Sequence, residues 1–216
     1  MRTAALLLLL LPATQAAAQE SLETKLVITQ EGRETGREEF TLRQGRWRGA
    51  PGSTLTAVAR YPGTNPLLKV AATLERTPES ALAKFQLDVE GPNGTTVILA
   101  AGSGARLIVR TVAKGSEAGR ELPGGPDVVL LDEAVYSLYT AVVDLATPSG
   151  KSLTGVFPRT SRRASFVARR EAGGEGGTTR VTLSGDINGT VATDAKGRLQ
   201  RVEFPGSHIV VTRAPD

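Results

Sequence analysis

The strictest constraint in this sequence is a two-residue rhythm. Between positions 81 and 90, Phe85, Leu87 and Val89 alternate with Lys84, Gln86, Asp88 and Glu90. Successive strand side chains point to opposite faces, so this stretch makes a ribbon with one dry and one wet face. Residues 77–80 could open a helix through Lys84, but the alternation that follows is too strict for one. Half-buried strands of this kind belong to antiparallel sheets. The rhythm recurs at Leu26 and Ile28, and over residues 38–42, 54–61, 67–77, 95–100 and 106–112. It returns from Lys151 onward, most clearly in residues 161–170, where Ala164, Phe166 and Ala168 share a face. Residues 179–191, 198–204 and 208–213 complete the pattern. Turn chemistry punctuates it, as in Pro62-Gly63-Thr64-Asn65-Pro66, Asn93-Gly94 and Asp194-Ala195-Lys196-Gly197. Residues 114–127 read as a loop of low order, and residues 172–177 as a glycine tip.

One stretch departs from the rhythm. In VVLLDEAVYSLYTAVVDL, residues 128–145, Leu131, Val135, Leu138, Val142 and Leu145 recur at helical spacing. This predicts the one amphipathic α-helix of the chain, capped by Asp127 or Asp132 and ended at Thr147-Pro148-Ser149-Gly150. If Asp132 caps, residues 128–131 are extended and buried. A flat sheet of about eleven strands is not expected; it curls, splits or closes. The fold class is therefore mainly β: a large curved antiparallel sheet, a half-open barrel, wrapped around the helix. The apolar stripe then lies on the concave face.

The first residues carry a different signal. Arg2, the apolar run of residues 4–11, Pro12 and Ala16-Ala17-Ala18 form the three parts of a secretory signal peptide. This predicts removal of residues 1–18, leaving 19–216 as a single exported domain in the bacterial periplasm. The apolar run is too short to span a bilayer, and no later run is long enough. Cysteine is absent, which excludes a disulfide framework, thiolate metal ligands, a cysteine nucleophile and a lipidation cysteine. The net charge is only +4, and 20 of the 26 basic residues are arginine. So small an excess does not imply a nucleic-acid partner.

Catalytic signals are weak. His208 is the only histidine, so no multi-histidine metal site exists, and no Gly-x-Ser-x-Gly elbow supplies a triad serine. A partly buried strand histidine is the plainer expectation. Asp132 and Glu133 diverge by about 100° on a helix and read as cap and first-turn acid rather than as an acid/base pair. Asp186-Ile187-Asn188-Gly189 opens like a calcium loop but lacks the later bidentate acid, and reads as a turn. No catalytic residue, metal or cofactor is expected. Arg159, Arg162, Arg163, Arg169 and Arg170 crowd one short segment, either as a partner or anionic surface centred on Arg162, Arg163 and Arg169, or as a charged edge strand. Trp47, between Arg46 and Arg48, reads as a rim or core anchor.

This layout resembles exported bacterial domains of unknown function, and the lipoprotein-carrier architecture of the LolA and LolB type. The resemblance is most visible in Leu131-Asp132-Glu133 leading into Tyr136-Ser137-Leu138-Tyr139, and in the closing strands that end at Arg201-Val202-Glu203-Phe204-Pro205. It implies a concave face that holds acyl chains. Two functional expectations follow. One is non-enzymatic binding of an apolar or lipid-like ligand, or a lipidated partner, against Phe85, Leu87, Val89, Leu138 and Val142. The other is a cell-envelope structural or interaction module with a filled core.

Overall fold

The structure, a computed structural model, describes residues 21–47, 50–64, 67–171 and 175–215. The predicted leader, the side chain of Trp47 and residues 172–174 of the glycine tip lie outside the described residues. Eight strands run up and down in sequence: β1 (Ser21–Gln30), β2 (Arg33–Trp47), β3 (Ala50–Tyr61), β4 (Leu68–Arg76), β5 (Leu82–Gly91), β6 (Gly94–Ser103), β7 (Arg106–Ala113) and β8 (Ser116–Pro123). The short β9 (Val128–Leu130) follows, then a 3-10 turn (Tyr136–Tyr139) and the helix α1 (Thr140–Leu145). Six more strands complete the chain: β10 (Lys151–Phe157), β11 (Arg162–Arg170), β12 (Thr179–Gly185), β13 (Gly189–Thr193), β14 (Leu199–Phe204) and β15 (Ile209–Arg213).

All fifteen strands join in one curved, unclosed sheet, ordered β8-β7-β6-β5-β4-β3-β2-β1-β15-β14-β13-β12-β11-β10-β9. The two arms meet where β1 pairs antiparallel with β15, Leu26 opposite Arg213. Every neighbouring pair is antiparallel except β9 with β10. The β1–β2 turn shows how local chemistry sets register. Glu31 and Gly32 both take positive φ, 52° and 77°, the twist a tight hairpin needs. The Glu31 amide also donates to the His208 carbonyl, 3.0 Å away, tying this turn to the one between β14 and β15.

Two expectations are corrected. Residues 114–127 are not a loop of low order, because they contain β8. Its sequence, SEAGRELP, is polar and almost wholly exposed, so it leaves no apolar rhythm. The backbone ladder to β7, Val109 opposite Arg120, holds it instead. The predicted helix over 128–145 shrinks to six α-helical residues preceded by a 3-10 turn. Val128, Val129 and Leu130 take a strand partner on β10, Thr154, Gly155 and Val156. A continuous apolar run fits a buried strand as well as a helix, and the β-branched valines and available edge decide for the strand.

The burial of that segment matches its apolar stripe. Leu131, Val135, Leu138 and Val142 are fully buried. They join one core with the inward residues of both arms, among them Leu26, Phe40, Leu55, Leu87, Ile98, Phe166 and Val202. The segment fills the concave face as a plug. Gly155 marks how closely: a Cβ there would lie 3.0 Å from the Leu131 side chain and 3.3 Å from Phe166. The free edge at β8 meets the other arm through a side chain. Arg120 donates to the Pro158 carbonyl at 3.2 Å and bonds Ser161, in the β10–β11 turn. Among the described residues, no helix is long and apolar enough to cross a membrane.

Candidate functional site

The plug is pinned by polar groups that reach it from distant strands. Asp132 is 1% exposed, and its Oδ1 accepts from the Ala134 amide at 2.8 Å, closing a turn. Arg159 grips the same carboxylate with two bonds, 2.8 Å and 2.9 Å. That bidentate pairing offsets the cost of burying the charge. The Tyr61 hydroxyl, from β3, donates to the Ala134 carbonyl at 2.9 Å. Glu38, from β2, accepts from the amides of Tyr136 at 2.7 Å and Ser137 at 3.0 Å. Those amides open the 3-10 turn and have no intrahelical acceptor, so the carboxylate supplies one. Glu38 is wholly buried, and burial pushes its carboxyl up to about 7 against the lowering effect of these bonds.

Beyond the pinned turn the plug opens onto a cleft of about 450 Å³. Tyr136 and Tyr139 come from the plug, Phe157 from the end of β10 and Phe204 from the end of β14. Ile187 and Ile209 complete the apolar wall. The Tyr139 and Phe204 rings lie 5.2 Å apart and tilted by 54°, and Tyr136 lies 6.3 Å from Phe204. Burial pushes the pKa of both phenols above the ordinary tyrosine value, and the nearby charge of Glu38 adds to this at Tyr136. Both therefore stay neutral donors. The rim is polar: Arg162 lies 3.6 Å over the Phe157 ring and pairs with Glu133 at 3.4 Å. A wall of aromatic and aliphatic groups with a few polar groups at the mouth suits an apolar body with a polar end.

The sequence-predicted apolar residues gather elsewhere. Phe85, Leu87, Leu138 and Val142 are buried in the core, and the half-buried Val89 packs against it. The three arginines do not form one patch. Ala164, Phe166 and Ala168 face the core, so Arg162 shares their side and opens on the cleft, whereas Arg163 and Arg169 face the outside. Nor is β11 an edge strand, since it pairs with β10 and β12. His208 is an exposed turn residue in the left-handed conformation, φ 53°, not a strand residue. Asp186 and Asn188 do build a turn: Asp186 accepts from the Ser165 amide at 2.8 Å, and Asn188 donates to the Gly185 carbonyl at 2.7 Å. Glu38, Phe157, Ile187 and Ile209 were not singled out by the sequence. Parity places Glu38 on the buried face of Phe40 and Leu42, a signal that could have found it; the others meet only through long-range folding.

No family model matches the chain, and no curated protein does. A solved structure with similarity is a DUF1089 family protein from Pseudomonas aeruginosa, 11% identical, covering 93% of this chain and 97% of its own, with a TM-score of 0.45. These comparisons do not show the resemblance to the lipoprotein carriers.

Proposed function

We propose that this is an exported, non-catalytic binding protein that holds an apolar or lipid-like group in the cleft beside Tyr136, Tyr139 and Phe204. The observation that carries the reading is the aromatic and aliphatic lining of a 450 Å³ opening above a core its own plug already fills. The apolar part of the ligand lies against Phe157, Phe204, Ile187 and Ile209. Its polar end meets Arg162 at the mouth. The phenols, kept neutral, donate hydrogen bonds without attracting a counter-ion. The ligand enters from one end of the sheet, rather than lying along the Phe85–Leu87–Val89 face.

Equilibrium dialysis of delipidated protein against dodecanoate tests this. Ser207 lines the cleft as an exposed rim residue; saturable binding to one site, lost in Ser207→Trp, which narrows the cleft there, is the expected result. Binding that is absent, or unchanged by that substitution, contradicts it.

A second reading is a cell-envelope interaction module. The packed concave face favours it, because such a module has no need of an internal cavity. It predicts that Arg163→Glu with Arg169→Glu abolishes capture of an envelope protein and leaves dodecanoate binding intact.

A further inference from the structure

The opposite end of β11 carries a second, very different opening. It begins at Arg170, eight residues from Arg162, about 27 Å along the strand. Its volume is about 420 Å³, in the range of small-ligand sites. Gly45 on β2 stands directly opposite Gly52 on β3, and this side-chain-free pair forms part of the wall. Arg76, Thr77, Asp144 and Arg170 are among its polar lining.

The donors there outnumber their acceptors. Arg76 is 5% exposed and pairs with Asp144 through Nη2, while its Nη1 is buried and has no partner among the described residues. Arg170 donates Nη2 to the Val143 carbonyl at 2.7 Å, near the C-terminal end of α1, but its Nε is likewise buried without an acceptor. The Thr77 hydroxyl is in the same position. Five buried side-chain atoms lack a partner among the described residues, and three of them lie on residues lining this one opening. Leaving a buried donor unmet costs about 1–3 kcal/mol, and more for a charged group. Two guanidinium groups and one carboxylate line the opening, so a positive charge is left over. That carboxylate, Asp144, is 44% exposed and held from one side only. Capping of the helix end explains Arg170 Nη2 but not the other donors.

We propose that this opening binds the oxyanion of a small anionic ligand, a carboxylate or a phosphate, between Arg76 and Arg170. Planar guanidinium forks match such groups in pairs of bonds. Asp144 holds the place of the ligand on Arg76 and swings to solvent when the oxyanion binds there. The Thr77 hydroxyl provides a further donor.

The test is thermal unfolding of the purified chain in orthophosphate and, separately, in acetate, each against sodium chloride at matched ionic strength. A saturable rise in Tm with either anion supports the site. A rise with phosphate alone assigns a phosphate-bearing ligand, and with acetate alone a carboxylate. Arg170→Gln abolishes the rise, and Asp144→Asn, on a half-exposed side chain, tightens binding at least threefold. No rise beyond that of chloride, an undiminished rise in Arg170→Gln, or unchanged binding in Asp144→Asn overturns the proposal. The aromatic cleft lies at the other end of β11, so Ser207→Trp leaves this response intact, and the two sites fail or stand separately.

Discussion

Glu38 Oε2 accepts the amide hydrogen of Tyr136 at 2.7 Å, across 98 residues of sequence. One carboxylate on β2 thereby fixes the start of the plug in the other half of the chain. This bond, with its neighbour to Ser137, replaces the helix cap that the sequence leads one to look for in Asp127 or Asp132.

Removing that carboxylate orphans two buried amides. Glu38→Ala is expected to cost about 2–4 kcal/mol, since each unmet donor costs about 1–3 kcal/mol. Glu38→Gln keeps one carbonyl acceptor and loses less. Urea unfolding at pH 6 measures both, and a loss below about 1 kcal/mol in Glu38→Ala would mean that the two bonds carry no weight.

Glu38 also makes stability depend on pH. Its folded-state pKa, about 7, lies above the ordinary 4.5. Between these values the native state holds a proton that the unfolded chain has released. Its contribution to stability is therefore greatest below about 4.5, falls as pH rises to about 7, and is flat above. The fall is on the order of 3 kcal/mol. Glu38→Gln removes this slope; a wild-type profile that survives in the variant would place the titrating group elsewhere.

The Asp132–Arg159 pair predicts strong coupling. Arg159→Met leaves a carboxylate that is 1% exposed without its cation, at a cost of about 3–5 kcal/mol. Adding Asp132→Asn recovers part of that loss. A double-mutant cycle in which the two losses simply add would show that the pair does not act as a unit.

Much of the sheet was legible. Alternation at 81–90 is β5, the chain's end pairs as β14 and β15, and Ala164, Phe166 and Ala168 are buried on β11 as expected. β8 was not legible, because a polar strand held by its backbone ladder leaves no apolar signal. The plug was half legible. The spacing of Leu131, Val135, Leu138 and Val142 identifies its buried side, but not that residues 128–130 take a strand partner on β10. The cleft was hidden for another reason: Phe157, Ile187, Phe204 and Ile209 lie on four separate elements, and only the curl of the sheet brings them together.

The curl stays open in its backbone pairing, and Arg120 links its free edge at β8 to the β10–β11 turn. Arg120→Ala is expected to change global stability by less than about 1 kcal/mol, as exposed polar contacts do. Hydrogen exchange at the β8 amides should rise at least several-fold, with β5 unaffected. Unchanged protection of β8 would mean that its ladder to β7 suffices alone.

Ligand binding in the cleft is the property that defines this protein's proposed role. Its most direct test is the thermal midpoint of delipidated protein with and without dodecanoate at one hundred times its dissociation constant. Binding to the native state alone adds about 2.7 kcal/mol, a rise of about 5–10 °C for a chain of this size. That rise is expected in the wild type and is lost in Ser207→Trp; a midpoint that dodecanoate leaves unmoved would rule out binding in the cleft.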